Sequence, residues 1–379
     1  MSSGRLPNRR VDLAVLIAYT GDGGVERMMN HLLRGFVDAG VSVDLLLLKA
    51  RGGHVRAIPA GVNIIPLDVA TSVFAIPALY QYLRQTRPRA MLAAKDRAGR
   101  VALLARRFAG TDTRVVLRMG MHLSGSLAGK TRIQRIARFL PVRWLYPWAD
   151  AIITVARPIA EDLAEIGHVP IDRFRVIPNP SLGPDIDTLA AAPLDHPWFT
   201  DGGRVPVILA AGRLKPQKDF PTLLHAFSIL RKERQARLVI LGDGPEHSAL
   251  SKLARELGIA IDVDLPGFLE NPYPLMRAAS LVVLSSRYEG SPNVLVEAMG
   301  LGTPVVATDC PSGPREILQG GKHGVLVPVG DRRALAAAMI KTLDADTQPA
   351  SLRHAVEHFN LKNSSREYLR VLGLSAFSE

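Results

Sequence analysis

Short apolar runs alternating with helical patterns along nearly the whole chain leave few folds open to it. Strand-like runs fall at 13–18, 43–48, 89–93, 115–117 and 152–155, and again at 205–211, 238–241, 281–284 and 305–307, with helical spacing between them. Strands separated by helices form parallel sheets with helices packed on their faces. The expected fold is therefore α/β: two doubly wound, Rossmann-like parallel-sheet domains facing a cleft. The length of 379 residues exceeds what one compact core usually holds, and 47% apolar residues can fill two. Residues 180–204 carry four prolines (180, 184, 193 and 197), lose the strand pattern and end in Asp201-Gly-Gly, so the linker is expected there. That predicts an N-terminal domain over 1–190, a second over 205–350, and helices over 351–379.

The segment 289–297 (Glu-Gly-Ser-Pro-Asn-Val-Leu-Val-Glu) joins the run 281–284 to a helix expected over 293–301, with Gly290, Ser291 and Pro292 at the junction. At a helix start the amides of Asn293, Val294 and Leu295 have no intrahelical partner and carry the positive end of the dipole, so they can hold a phosphate. Glu289 then sits at the strand exit beside the phosphate, and Glu297 about one turn further along the helix. This layout suits a sugar nucleotide. A carboxylate beside a phosphate needs cations nearby, and Arg213 and Lys218 leave the end of the run 205–211. Two such cations can clamp a diphosphate. A plain solvated basic turn is the bland alternative.

Gly212-Arg213 with Gln217-Lys218-Asp219, 241–245, 266–268, 286–297, 302–307 and Gly24-Val-Glu-Arg27 together resemble the retaining glycosyltransferases of family 4. These are two-domain enzymes of GT-B architecture that move a sugar from a nucleotide donor to an acceptor. The match is dense over 205–330 and sparse before 180, where it rests on the glycine loop and on 177–180. The resemblance implies that Glu289 bonds sugar hydroxyls, that Glu297 bonds the ribose, and that configuration is retained. It also implies that the last helix crosses back to the first domain. A histidine near His122 touches the donor sugar in such enzymes, and His122 follows the run 115–117; Arg118 is its rival. The expected catalytic set is His122, Arg213, Lys218 and Glu289. The expected substrate-binding set is Gly23, Gly24, Gly290, Ser291, Asn293, Val294, Leu295 and Glu297. A UDP-sugar donor is favoured, with a lipid-linked or cell-surface polysaccharide intermediate as acceptor and no metal or cofactor.

Other features narrow the choice. Gly21, Gly23 and Gly24 follow the first strand, where a ligand can approach closely, but they do not fit Gly-x-Gly-x-x-Gly, which disfavours a dehydrogenase. The two carboxylates at 289 and 297 would face different parts of a ligand rather than opposite sides of one bond, which disfavours a glycosidase. A sugar-nucleotide epimerase and a non-catalytic nucleotide-sugar-binding protein remain as alternatives. Cys310 is the single cysteine, no Cys/His cluster has zinc spacing, and the first apolar run is too short to span a membrane and ends without a cleavage site. A cytoplasmic protein without a signal peptide is expected.

Charge is uneven, with 26 Lys and Arg against 16 Asp and Glu over residues 1–198, but 21 against 19 over the rest. Within 130–140, Arg132, Arg135 and Arg138 recur at helical spacing, with Ile133, Ile136, Ala137 and Leu140 on another side, followed by Arg143, Trp144, Tyr146 and Trp148. This basic amphipathic segment, 130–148, either meets an anionic membrane, on the inner face of the cytoplasmic membrane, or packs its apolar side on the domain and leaves its arginines solvated. No recognised nucleic-acid-binding motif accompanies the charge.

Overall fold

The computed structural model describes residues 10–20, 24–51, 53–200 and 205–375. The chain divides into two compact units, one of Met1–Pro180 with Leu361–Glu379, the other of Ser181–Asn360. The first holds a seven-stranded parallel sheet of β1 (Leu13–Thr20), β2 (Val43–Arg51), β3 (Val62–Pro66), β4 (Ala90–Ala94), β5 (Arg114–Met119), β6 (Ala151–Thr154) and β7 (Phe174–Val176), in the order β3-β2-β1-β4-β5-β6-β7. The second holds a six-stranded parallel sheet of β8 (Val207–Ala211), β9 (Arg237–Leu241), β10 (Val263–Gly267), β11 (Leu281–Leu284), β12 (Val305–Thr308) and β13 (Val325–Val327), in the order β10-β9-β8-β11-β12-β13.

Both sheets are buried on both faces, which is why their central strands read as continuous apolar runs. Along β1, Ala14 and Leu16 enter one core while Leu13, Val15, Ile17 and Tyr19 enter the core on the opposite face. Along β8, Val207 and Leu209 face one core, and Ile208 and Ala210 the other. The four strands that did not stand out as apolar runs of their own, β3, β7, β10 and β13, are the four sheet edges. They are short and half-exposed, and polar residues interrupt β3, β7 and β10, whereas β13 is a three-residue apolar run, Val-Leu-Val, between a glycine and a proline.

The stretch 180–204 is not a bare linker. Helices Ile186–Ala190 and Pro197–Thr200 form there, and Ile186, Ala190, Trp198 and Phe199 pack into the core of the second unit. Helix Pro349–Val356 sends Leu352, Ala355 and Val356 into the same core. Helix Leu361–Leu372 instead buries Tyr368, Leu369 and Leu372 in the core of the first unit.

In each sheet the strand order reverses once, between β1 and β4 and between β8 and β11, and ligands of open α/β sheets bind outside the carboxyl ends of strands at such points. Behind β8 and β9 the backbone is packed too closely for side chains. Gly242 has φ +129°, and a Cβ there would lie 2.1 Å from the carbonyl oxygen of Gly212. Gly242→Ala is expected to cost about 3 kcal/mol, because backbone rather than a flexible side chain must give way. Urea unfolding of the variant against wild type measures the loss.

Candidate functional site

The site in the second unit is built from the loops leaving β8, β11 and β12. Residues 212–219 follow β8, and 285–292 follow β11 at the switch point. The two loops are laced together. Arg287 N–H donates to the Gln217 carbonyl at 2.8 Å, Gln217 Nε2 to the Tyr288 carbonyl at 2.9 Å, and Ser285 Oγ to the Lys218 carbonyl at 2.8 Å. From the loop after β12, Ser312 Oγ donates to the carbonyl oxygens of Glu289 and Gly290, at 2.6 and 3.2 Å. Gly313, at φ +90°, backs onto this turn so closely that a Cβ would lie 2.6 Å from Pro292.

This scaffold brings Lys218 and Glu289 together. Lys218 Nζ donates to Glu289 Oε1 at 2.6 Å, and Ser286 Oγ donates to the same oxygen at 2.6 Å. The two side chains are only 17% and 9% exposed, so solvent screens their attraction weakly. An ammonium has three donors, and Glu289 takes one. Arg213, by contrast, is exposed and makes no ion pair among the described residues. The Cys310 thiol is pushed up to about 12 by burial and by the nearby Glu289 carboxylate. It is therefore a neutral thiol rather than a nucleophile.

Helix Asn293–Gly300 starts at the end of the 285–292 loop, capped by Pro292 without a side-chain bond, and its first turn holds no acidic residue. Asn293 Oδ1 accepts from Ser181 Oγ at 3.0 Å. The Leu295 N–H donates to the Pro292 carbonyl at 3.1 Å, which corrects the expectation that all three first-turn amides lack an intrahelical partner: the tight first turn engages this one. The side chains of Val294 and Leu295 are buried in the core, so only their backbone can meet a ligand. Gly290 is buried and Ser291 half-buried at the turn. Glu297 is buried, with the Tyr273 hydroxyl 3.5 Å from its Oε1.

The remaining expected residues lie in the first unit. Gly23 falls outside the described residues. Gly24 is exposed and opens helix Gly24–Asp38. His122 caps the short helix Leu123–Ser126, its Nδ1 accepting from the Gly125 N–H at 3.1 Å. Asp162 Oδ2 is 3.6 Å from the same nitrogen but is taken by the amides of Leu123 and Ser124, at 2.7 and 3.1 Å. The shorter bond decides: Nδ1 is an acceptor, the ring proton sits on Nε2, and His122 and Asp162 do not form an ion pair through Nδ1. Arg118 is buried, with its Nη2 donating to Asn179 Oδ1 at 2.6 Å.

Sequence reasoning missed the supporting shell: Ser286, Ser312, Tyr273, and a charged group behind Lys218. In that group Asp219, buried at φ +50°, faces Arg287 at 3.2 Å. Glu246 lies close by with one carboxylate oxygen, Oε2, buried and without a hydrogen-bond partner among the described residues. Burial first, then the Asp219 charge, raises the Glu246 carboxyl above its ordinary value, with Arg287 opposing. A raised folded pKa contributes stability that is present at low pH and lost as pH climbs past the carboxylate range. Glu246→Gln is therefore expected to melt higher than wild type at pH 7.5, by less than about 1 kcal/mol because the residue reaches solvent, with the gap closing near pH 4. Thermal melts at the two pH values check this.

Residues 205–345 match the family described as glycosyl transferases group 1, and residues 23–180 match the glycosyl transferase 4-like domain. The lipopolysaccharide core biosynthesis glycosyltransferase LpsE of Rhizobium meliloti is 28% identical over 362 residues, spanning 93% of this chain and 96% of that protein. The N-acetylgalactosamine-N,N'-diacetylbacillosaminyl-diphospho-undecaprenol 4-alpha-N-acetylgalactosaminyltransferase of Campylobacter jejuni is 30% identical over 251 residues, 66% of each chain. Among solved structures, Anabaena Alr3699/HepE in complex with UDP and glucose superposes with a TM-score of 0.72 at 20% identity, covering 97% of this chain and 98% of that one.

Proposed function

The chain belongs to the group 1 glycosyl transferases, a glycosyltransferase of GT-B fold, and we propose that it moves a sugar from a UDP-linked donor, with retention and without a metal, to a hydroxyl of a lipid-linked or cell-surface polysaccharide intermediate. The observation that carries this reading is the Lys218–Glu289–Ser286 cluster at the switch point beside the start of helix Asn293–Gly300. HepE, of the same fold, is seen with UDP and glucose, which supports the choice of donor. LpsE is named for lipopolysaccharide core biosynthesis and the Campylobacter enzyme for a diphospho-undecaprenol glycan, which supports the acceptor class.

Breaking the bond from the anomeric carbon to the diphosphate leaves positive charge on the sugar and negative charge on the departing UDP. Stabilising the nucleotide is the larger task. Lys218, with two donors beyond the one given to Glu289, exposed Arg213 and the amides that open helix Asn293–Gly300 supply fixed positive groups there. Glu289, held by Lys218 and Ser286, takes hydroxyls of the sugar, and Glu297, beside Tyr273, takes the ribose hydroxyls. The departing phosphate accepts the acceptor's proton, so no separate general base is assigned. The protein works on the cytoplasmic side of a membrane that presents its acceptor; no helix among the described residues is long and apolar enough to cross one.

The test incubates the protein with UDP-glucose, UDP-galactose and UDP-N-acetylglucosamine and octyl glycoside acceptors, in chelator. UDP release with an α-linked product, read from the anomeric proton coupling, is the expected result. A β-linked product contradicts retention. An epimerised sugar nucleotide without transfer makes the protein an epimerase instead.

A further inference from the structure

Helix Arg132–Leu145 is turned inside out. It is a well-started helix: Thr131 Oγ1 accepts from Gln134 N–H at 3.3 Å, while Gln134 Oε1 accepts from Thr131 N–H at 3.2 Å. Its one buried residue is Val142. With residues about 100° apart around the axis, Ile133, Ile136, Ala137, Leu140 and Trp144 fall within an arc of about 100° opposite Val142. Ile133 is 79% exposed, Ile136 50%, Leu140 40% and Trp144 65%, and Trp148 in the next turn is 40% exposed. The sequence left open whether this apolar side packs on the domain: Ile133 and Trp144 stay mostly in solvent, while Ile136 and Leu140 are half covered beside Glu165, Ile166 and His168. A helix of a soluble domain ordinarily points its stripe inward, and a contiguous exposed stripe marks a docking surface.

The charges on the helix itself are all of one sign, and the carboxylate that reaches the stripe from its neighbour, helix Arg157–Gly167, is Glu165, which lines a cleft with Ile136, Leu140 and Arg143. No Asp or Glu occurs between Asp112 and Asp150, an interval that holds Lys130, Arg132, Arg135, Arg138 and Arg143. Arg138 lies 3.6 Å from Asp96, which offsets part of its charge. Arg132, Arg135 and Arg143 are exposed and make no ion pair among the described residues, and the Arg135 guanidinium lies over the Phe139 ring at 5.7 Å. Between Arg132, Arg135, Ile136 and Phe139 runs an open groove of about 460 Å³, with cationic walls and an apolar floor.

We propose that this surface docks the protein on an anionic phospholipid bilayer, with Ile133, Ile136, Leu140 and Trp144 in the acyl boundary and the arginines at the lipid phosphates. A second copy of the chain would set arginine against arginine, and a nucleic acid would leave the apolar stripe in water. A bilayer of anionic lipid satisfies both halves of the surface at once. The proposal does not rest on the identity of the donor or the acceptor.

The experiment is co-sedimentation of the full chain with phosphatidylcholine vesicles, with and without about 30 mol% phosphatidylglycerol. Two variants are compared with wild type, Ile133→Glu/Leu140→Glu and Arg132→Glu/Arg135→Glu/Arg143→Glu. Wild type is expected to sediment only with the anionic vesicles and to be released by salt, and each variant to bind at least about tenfold more weakly. All of the substituted side chains are exposed, and unchanged thermal melts show that each variant is folded. Failure of wild type to bind anionic vesicles, or equal binding by the variants, overturns the proposal. So does a wild-type dimer that Ile133→Glu/Leu140→Glu dissociates while no vesicles are bound, since the stripe would then face a second copy. UDP affinity on the same samples separates these outcomes from failure of the transferase reading.

Discussion

Lys218→Met is expected to lower turnover by a hundredfold to a thousandfold, the range seen when one preorganised donor to developing negative charge is removed. The variant also leaves Glu289 buried with Ser286 as the remaining donor to its Oε1, and stranding a buried charge costs roughly 3 kcal/mol of stability. The two effects are separable. In Lys218→Met/Glu289→Gln the stranded charge is gone, so melting temperature should return towards wild type while activity does not. Thermal melts on the single and double variants isolate the stability effect, and initial rates of Lys218→Met taken well below its melting temperature isolate the catalytic one. A folded Lys218→Met that keeps wild-type turnover would assign Lys218 a structural role.

Glu297→Gln is expected to raise the nucleotide Kd by tenfold to a hundredfold, because a hydrogen bond to a charged group contributes roughly 1.5–3 kcal/mol. The substitution keeps the shape of a buried side chain whose partners in the fold include the Tyr273 hydroxyl at 3.5 Å, which a Gln amide can still meet, so the fold itself should lose little. Bonds to the ribose are the same before and after the sugar leaves, so the loss should appear in KM for the donor and spare kcat. Glu289→Gln should behave oppositely, losing kcat. Steady-state kinetics with varied donor, together with direct nucleotide titration, measures the split.

What could be read before the structure was known follows from burial. The central strands are covered on both faces, and their apolar runs were visible; β3, β7, β10 and β13 are half-exposed edges and did not stand out. The stretch 180–200 misled for a related reason: prolines and loss of the strand pattern suggested a linker, yet Ile186 and Ala190 are core residues of the second unit. In the site, Glu289, Arg213 and Lys218 stood out because charged residues beside strand ends are conspicuous in a chain, and Glu297 because it is a carboxylate in an otherwise uncharged helix. Ser286 and Ser312 did not, since nothing in a serine's sequence surroundings says that its hydroxyl will hold a carboxylate or a turn 23 residues away. The engaged amide of Leu295 depends on the pitch of one helical turn, which residue types do not encode. The outward stripe of helix Arg132–Leu145 was visible as a pattern, but only coordinates show which way it faces.

The loops behind β8 and β11, with helix Asn293–Gly300, are expected to form a nucleotide-diphosphate site that works without a metal. Isothermal titration of the whole chain with UDP in chelator tests it most directly, with Lys218→Met and Glu297→Gln alongside. The account predicts micromolar binding of UDP by wild type, weaker binding of GDP, and at least about tenfold loss in each variant. No binding of either nucleotide by wild type, or binding that both substitutions leave unchanged, would contradict it.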